Sequence, residues 1–159
     1  MKQWKPPAEN LPNIIEKLVE GTFLPHFFQL INITEYGEKL REMPVTLFVP
    51  VEDTLDLISN EELQILEKAL KDESLATKIV ENHIIQQPVP LREMLDIREI
   101  QTIGGKKLSV NVRCGIREDF EFSVSQGCYV EAEIGGLHLE TANIVCYNGF
   151  IHTIRGIII

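Results

Sequence analysis

The pattern that decides the fold lies near the end of the chain, in residues 144–154, Ile-Val-Cys-Tyr-Asn-Gly-Phe-Ile-His-Thr-Ile. Its central pair, Asn148-Gly149, is a strong signal for a β-hairpin, because both residues tolerate the positive φ of a type I′ turn. We therefore expect the residues before the pair to form one strand and those after it another. Phe150, His152 and Ile154 would then share one face, so His152 would lie among apolar neighbours and need a hydrogen-bond partner.

Working outward from this hairpin, apolar and polar residues alternate with a period of two from Arg98 onward, which is typical of strands that bury one face. The apolar sets are Leu108, Val110 and Val112; Phe120, Phe122 and Val124; and Val130, Ala132 and Ile134. Turn pairs separate these runs at Gly104-Gly105, Gln126-Gly127 and Gly135-Gly136. Short strands joined by turns predict antiparallel sheets, since a parallel sheet would need intervening helices that this stretch lacks.

The first half of the chain shows helical spacing instead. Asn13 and Glu16 form a capping box that opens a first helix, and Gly21 ends it. The apolar stripe of that helix comprises Ile14, Ile15, Leu18 and Val19. Further helices are predicted to begin at Pro25, at a second capping box of Ser59 with Glu62, and at Ser74, with a weakly amphipathic piece at residues 36–43.

One buried strand is expected among the helices, at residues 45–49, and Pro50 stops it because proline cannot donate to a sheet ladder. Asp53 or Thr54 then caps a short helix. These elements predict an α+β fold, a β-sandwich of antiparallel sheets with several α-helices on the N-terminal side. Three prolines mark residues 1–12 as a lead-in or linker, so we expect a single domain over residues 13–159.

The chain of 159 residues is acidic, with 15 Lys and Arg side chains against 24 Asp and Glu, a net charge of −9. Binding to nucleic acid or to anionic lipid is therefore disfavoured. The sequence has no apolar run near the roughly 20 residues that a membrane-spanning helix needs. Its first residues lack the apolar core of a secretory signal, so we expect any export signal or anchor to have been removed or to lie outside this sequence.

No sequence motif points to catalysis. A phosphate-binding loop, a nucleophile elbow and a helical pair of metal-binding histidines are all missing, and His26, His83, His138 and His152 are scattered. We therefore predict a protein that is not an enzyme and has no cofactor. A metal site assembled from His83, His152 and Cys146 is an alternative, although buried histidines more often bond to the backbone.

The three cysteines, Cys114, Cys128 and Cys146, are odd in number and form no CxxC motif, so at least one is free or bonded to another molecule. We expect each to lie in a strand as a small apolar residue. Asn32-Ile33-Thr34 is a glycosylation sequon, but about one such triplet is expected by chance at this length. Neither feature decides the compartment.

Three segments, taken in order, resemble the fasciclin-type domain, a cell-adhesion module of about this size. They are Thr46-Leu47-Phe48-Val49-Pro50 followed by Glu52-Asp53; Asn82-His83-Ile84-Ile85 leading to residues 102–110; and Ala142-Asn143-Ile144 followed by residues 148–154. The closing segment is the most specific of the three. The resemblance extends over about residues 13–159.

The resemblance implies a wedge of two antiparallel sheets with several helices. It also implies a non-catalytic adhesion module that binds a protein or matrix partner in the extracellular space, at the cell surface or in the periplasm. Two adhesive motifs of the family are matched in part. His83 matches a Tyr-His pair in which Asn82 takes the place of the Tyr, and Asn143-Ile144 matches an Asp-Ile or Asn-Ile pair.

The resemblance thus nominates His83, Asn143 and Ile144 as partner-binding residues; the alternative is that all three hold the core. Val51 and Arg155 depart from the family's pattern, which indicates a divergent member.

Two other classes of function stay open from the sequence. A small-ligand carrier with an apolar cleft between helices and sheet is suggested by the aromatic cluster of Phe23, Phe27 and Phe28. A metal-assisted enzyme is the third hypothesis, and it requires perturbed acids or bases that line a cleft.

Overall fold

The computed structural model describes residues 4–7, 10–117 and 127–159, and of residues 114–117 and 127–130 it describes the backbone. Within this part of the chain the helices are α1 (Ile14–Glu20), α2 (Pro25–Asn32), α3 (Tyr36–Lys39), α4 (Asn60–Ala69) and α5 (Glu73–Glu81). Short 3-10 helices cover Glu52–Asp56 and Leu91–Met94. The predicted alternation at Phe120, Phe122 and Val124 lies outside the described residues.

The described strands form two sheets of four strands each. The first sheet has the order β2-β1-β8-β7, and the second has the order β3-β4-β5-β6. The strands are β1 (Val45–Pro50), β2 (Ile84–Ile85), β3 (Glu99–Gln101), β4 (Lys107–Arg117), β5 (Gly127–Ile134), β6 (Leu137–His138), β7 (Ile144–Cys146) and β8 (Gly149–Ile154). The predicted α+β fold with two sheets and N-terminal helices is confirmed.

One strand pairing differs from the expected antiparallel arrangement. Strand β1 runs parallel to β8, with Val45 opposite Gly149 and Pro50 opposite Ile154. The pairing joins the first strand of the chain to the last, so the intervening helices and the whole second sheet form the connection. A local alternation pattern cannot reveal such a pair, because parallel strands buried on both faces show a continuous apolar run. Pro50 belongs to the end of β1 instead of stopping the strand before it.

The strand β1 lies between two apolar clusters. Val45, Leu47 and Val49 pack with the helices in the first cluster, whereas Phe48 packs in the second cluster with the inner face of the second sheet. The inner face of the second sheet comprises Ile100, Leu108, Val110, Ala132 and Ile134. The molecule is therefore layered, with helices, first sheet and second sheet in that order, and every residue of β1 is buried.

Both predicted capping boxes are present. The Asn13 side chain accepts from the Glu16 N–H at 2.9 Å, and the Ser59 hydroxyl accepts from the Glu62 N–H at 3.1 Å. The start of α5 was predicted at Ser74, but its N-cap is Asp72, whose carboxylate accepts from the Leu75 N–H. Because the cap of a helix is set by one local hydrogen bond, errors of this kind stay within two residues.

Two other local predictions are wrong. Val19 was assigned to the buried stripe of α1, but it is 66% exposed. The 3-10 helix at Glu52–Asp56 has no side-chain cap from Asp53 or Thr54, because the Thr54 hydroxyl lies inside it and donates to the Val51 carbonyl at 2.6 Å. Isolated apolar residues at the surface are common, so the helical period alone could not place Val19.

The closing hairpin is present, but its turn is not the predicted type I′. Asn148 does not adopt a positive φ, and its side chain is buried and bonded to the backbone of distant segments. Its Oδ1 accepts from the Ile14 N–H at 3.0 Å, while its Nδ2 donates to the carbonyls of Leu40 and Met43. Asn148 therefore joins the start of α1 and the loop before β1 to the β7–β8 turn.

Glycine at position 149 is expected to be required for the close pairing of β8 with β1. Its φ is +155°, and a Cβ at this position would overlap the carbonyl oxygen of Val45 on the paired strand. The substitution Gly149→Ala should lower the free energy of unfolding by about 3 kcal/mol or more. Denaturant titration followed by circular dichroism measures this loss.

The matched control is Gly105→Ala, which has a φ of +85° but no heavy atom within 4 Å of the added Cβ. It should cost only the backbone strain of about 1–2 kcal/mol. Equal losses in the two variants would contradict the close approach of β8 to β1.

Candidate functional site

His152 lies on β8, where its imidazole bonds to two loops. Its Nε2 lies 2.8 Å from the Val89 carbonyl oxygen, and its Nδ1 accepts from the Asn143 N–H at 3.0 Å. These partners define a neutral ring with the proton on Nε2. The side chain is fully buried, as predicted for a histidine on the apolar face of the hairpin, and it does have the expected hydrogen-bond partner.

His83 has the same type of environment with the opposite tautomer. It follows α5, and its Nδ1 lies 2.7 Å from the Ile79 carbonyl oxygen in the last turn of that helix. Its Nε2 accepts from the Ile158 N–H at 3.0 Å, so the proton is on Nδ1. This bond holds the C-terminal isoleucines that follow the end of β8. Ile157 packs in the first apolar cluster and Ile158 in the second.

Burial determines the charge state of both imidazoles. It lowers the pKa of His83 to about 4, against the smaller raising effect of the Ile79 hydrogen bond. Burial also lowers the pKa of His152. A proton added to either ring would face a backbone N–H donor and lose the bond. The two histidines therefore act as neutral links between segments.

Asn143 is positioned just before β7, in the loop that His152 holds. It is exposed and adopts a φ of +60°, a conformation that asparagine tolerates better than most residues. Its Oδ1 accepts from the Leu91 N–H at 2.8 Å, which ties the loop to the 3-10 helix at Leu91–Met94. Asn143 thus contacts His152, and it has no hydrogen bond to His83.

Ile144, the first residue of β7, borders a surface cavity of about 580 Å³ that we call the acidic groove. The groove is lined by Gly21, Thr22, Phe23, Val51, Glu52, Asp53, Glu140, Thr141, Ile144 and Thr153. The Arg155 guanidinium lies 3.0 Å from Glu140 and 3.5 Å from Asp53. The groove therefore combines apolar side chains with three carboxylates, two of which share one cation.

A smaller cavity of about 240 Å³, which we call the apolar pocket, lies beside the acidic groove. It is lined by Leu18, Val19, Gly21, Phe23, Leu24, Pro25, Phe27, Phe28 and Val49. The predicted aromatic cluster of Phe23, Phe27 and Phe28 does surround a cavity. Phe27 is fully buried, while the other two are only partly buried.

The residues proposed for a metal site do not form one. Both ring nitrogens of His83 and of His152 bond to backbone groups, and the part of the chain that the structure describes has no cluster of three His, Cys, Asp or Glu side chains placed for an ion. Cys146 is a free, buried thiol in β7, as expected of a small apolar residue, and burial raises its pKa to about 12. Such a thiol is a poor nucleophile.

Sequence reasoning missed two features of this region. Thr46 is buried in β1, where its hydroxyl donates to the Gln87 carbonyl at 2.6 Å and accepts from the Val89 N–H at 2.7 Å. Nothing in the sequence distinguishes this Thr from any other strand residue. The acidic groove was also missed, because its lining comes from four separate stretches of the chain.

The comparisons with known proteins agree with this architecture. A family model described as the Fasciclin domain matches residues 24–159, so the chain belongs to the fasciclin domain family. Fasciclin domains are adhesion-related binding modules, generally non-enzymatic and typically extracellular or at the cell surface. A search of the curated proteins found no match.

Among solved structures, the chain is similar to a FAS1 domain pair from the insect cell adhesion molecule fasciclin I, with a TM-score of 0.70 and 14% identity. The match covers 93% of this chain and 51% of that chain. At this identity the likeness shows the fold alone. This chain spans about half the length of the domain pair. Among the described residues, no helix is long and apolar enough to cross a membrane.

The buried imidazoles predict that the domain loses stability in acid. The pKa of His83 is about 4 in the fold and 6.5 as its ordinary value, so the unfolded chain binds more protons below pH 6.5. The free energy of unfolding should therefore fall as the pH drops from about 6.5 toward about 4, with at most about 3 kcal/mol from His83. Denaturant titrations across this range measure the loss.

The variant His83→Gln should flatten this pH dependence, since glutamine offers a donor and an acceptor without titrating. The control His138→Gln replaces an exposed histidine and should leave the dependence unchanged. An identical slope for His83→Gln and the unaltered protein would contradict the assignment.

Proposed function

We propose that this chain is a non-catalytic binding module that mediates adhesion in the extracellular space, at a cell surface or in the periplasm. The observation that carries the proposal is the fasciclin family match over residues 24–159, on a fold of two sheets and N-terminal helices. The arrangement of titratable groups supports binding over catalysis. The two histidines whose pKa values burial lowers, His83 and His152, are links between backbone segments, and neither lines the acidic groove.

The proposed contact surface centres on Asn143 and Ile144. Asn143 is exposed, and Ile144 borders the acidic groove, so both can reach a partner. His83 has no exposed surface, and in this proposal it acts through the fold by holding the C-terminal isoleucines. His152 positions the surface directly, because its bond to the Asn143 N–H fixes the start of β7.

The proposed partner is a protein or a matrix component. The net charge of −9 opposes binding to the phosphates of nucleic acids, and it equally opposes docking on anionic lipid. The carboxylates of the acidic groove and its apolar side chains suit a polypeptide surface better than a cofactor. We propose no cofactor for this activity.

A small-ligand carrier is the second candidate, and the apolar pocket is the observation that favours it. The pocket lies between helices and the first sheet, where the carrier hypothesis places a cleft. Its volume of about 240 Å³ is below the roughly 300–1,000 Å³ of cavities that enclose a drug-sized ligand. The pocket is therefore better suited to one side chain than to a whole ligand, and we favour protein binding.

The adhesion proposal predicts a separation of binding from folding at Asn143. Glycine tolerates a φ of +60°, so Asn143→Gly keeps the loop conformation while it removes the exposed amide. We expect attachment of cells or matrix-coated beads to a surface carrying the protein to fall at least fivefold. The free energy of unfolding should fall by only about 1 kcal/mol, from the lost Leu91 bond.

The matched control is Asn111→Gly, at an exposed asparagine on β4. It should leave attachment unchanged. If Asn143→Gly folds and still supports full attachment, Asn143 is not a contact residue.

A further inference from the structure

We propose that the acidic groove and the apolar pocket form one docking surface for a basic, amphipathic segment of a partner protein. One apolar side chain of the segment enters the pocket, and neighbouring Lys or Arg side chains lie along the groove. The inference rests on the proposed function, because it names the chemistry of the partner that the module binds. It goes beyond the Asn143-Ile144 pair by adding the α1–α2 loop and the carboxylates of Glu52, Asp53 and Glu140 to the contact surface.

The two cavities are adjacent. Gly21 and Phe23 line both of them, so one bound segment can contact both cavities at once. The loop that separates α1 from α2 is held to the end of β1, since the Leu24 N–H donates to the Pro50 carbonyl at 3.1 Å and Phe23 forms a bridge with Val51. The surface is therefore built on the central strand and is pre-formed.

The pocket presents apolar surface that nothing in the described chain covers. Val19 is 66% exposed, more than any other large hydrophobic residue in the described part of the protein. Phe23 and Phe28 are only partly buried at the same place. Glycine at position 21 allows this surface to form, because a Cβ there would overlap the Phe23 ring. A single apolar side chain would cover the patch and fit the volume of about 240 Å³.

Charge selects a basic partner for the groove. Arg155 shares its positive charge between Asp53 and Glu140, while Glu52 has no ion pair with any residue that the structure describes. Three carboxylates against one guanidinium leave an excess of two negative charges, on a chain whose net charge is −9. Lysine and arginine side chains are attracted to such a rim, and acidic segments are repelled.

The probe that tests the docking surface is a short synthetic peptide with a central Phe flanked on both sides by Lys. Two matched peptides replace either the Phe with Ser or every Lys with Glu. Fluorescence anisotropy with the complete chain should show binding of the first peptide, with at least tenfold weaker binding of each matched peptide. Binding should weaken as the salt concentration rises, because the carboxylates are exposed.

Variants locate the site. Val19→Lys places a like charge at the pocket and should weaken peptide binding about tenfold, whereas Leu95→Lys, at another exposed hydrophobic residue, should not change it. Glu52→Arg should weaken binding severalfold and reduce its salt dependence, and Glu67→Arg on the exposed face of α4 should not. Equal effects of Val19→Lys and Leu95→Lys, or equal binding of the three peptides, would overturn the inference.

These readouts separate the inference from the function on which it rests. Attachment that is lost in Asn143→Gly but insensitive to Val19→Lys and to the peptide would keep the adhesion proposal and overturn this docking surface. Peptide binding with the expected dependence, in a protein that supports no attachment, would support the docking surface and contradict adhesion. Inhibition of attachment by the Lys-Phe peptide, and by neither matched peptide, would support both the docking surface and the adhesion proposal.

Discussion

The parallel pairing of β1 with β8 is the constraint on which the remaining structure depends. It joins residue pairs such as Val45 with Gly149, which lie about two thirds of the chain length apart. Contacts this distant in sequence are slow to form and costly in chain entropy. Burial of both faces of β1 offsets that cost, because the helices cover one face and the second sheet covers the other.

A layered core of this kind leaves backbone groups of crossing loops in apolar surroundings, where each needs a partner. Buried polar side chains supply those partners, among them Thr46, His83, Asn148 and His152. Each of them accepts one backbone N–H and faces at least one carbonyl of a separate or neighbouring segment. The same side chains connect the loops around β1 and β8. They therefore fix the position of exposed residues in those loops, as His152 does for Asn143.

Local signals in the sequence predict local structure well here. The capping boxes at Asn13 and Ser59 depend on residues three positions apart, and both were predicted correctly. Predictions fail where a distant segment decides the outcome. Asn148-Gly149 has the composition of a type I′ turn, yet the Asn148 amide is recruited by Ile14, Leu40 and Met43. The direction of β1 relative to β8 is beyond a local pattern for the same reason.

The candidate site shows the same contrast between features set by local sequence and features set by distant segments. Asn143 and Ile144 were nominated from a short motif; the structure places Ile144 in the lining of the acidic groove and exposes the preceding residue, Asn143. The rest of the groove, including Phe23, Glu52 and Glu140, comes from segments that the sequence gives no reason to combine. His83 was nominated from its motif alone, and its burial could be known only from the packing of the closing isoleucines against it.

The buried polar side chains that link the segments and the exposed residues of the acidic groove have almost no members in common. A substitution at Val19 or Glu52 changes an exposed side chain and should cost little stability, whereas one at Asn148 or Gly149 breaks the scaffold. Partner preference in this domain can therefore drift by single mutations without loss of the fold. The scaffold is in this sense evolvable, since new specificities are reached through folded intermediates.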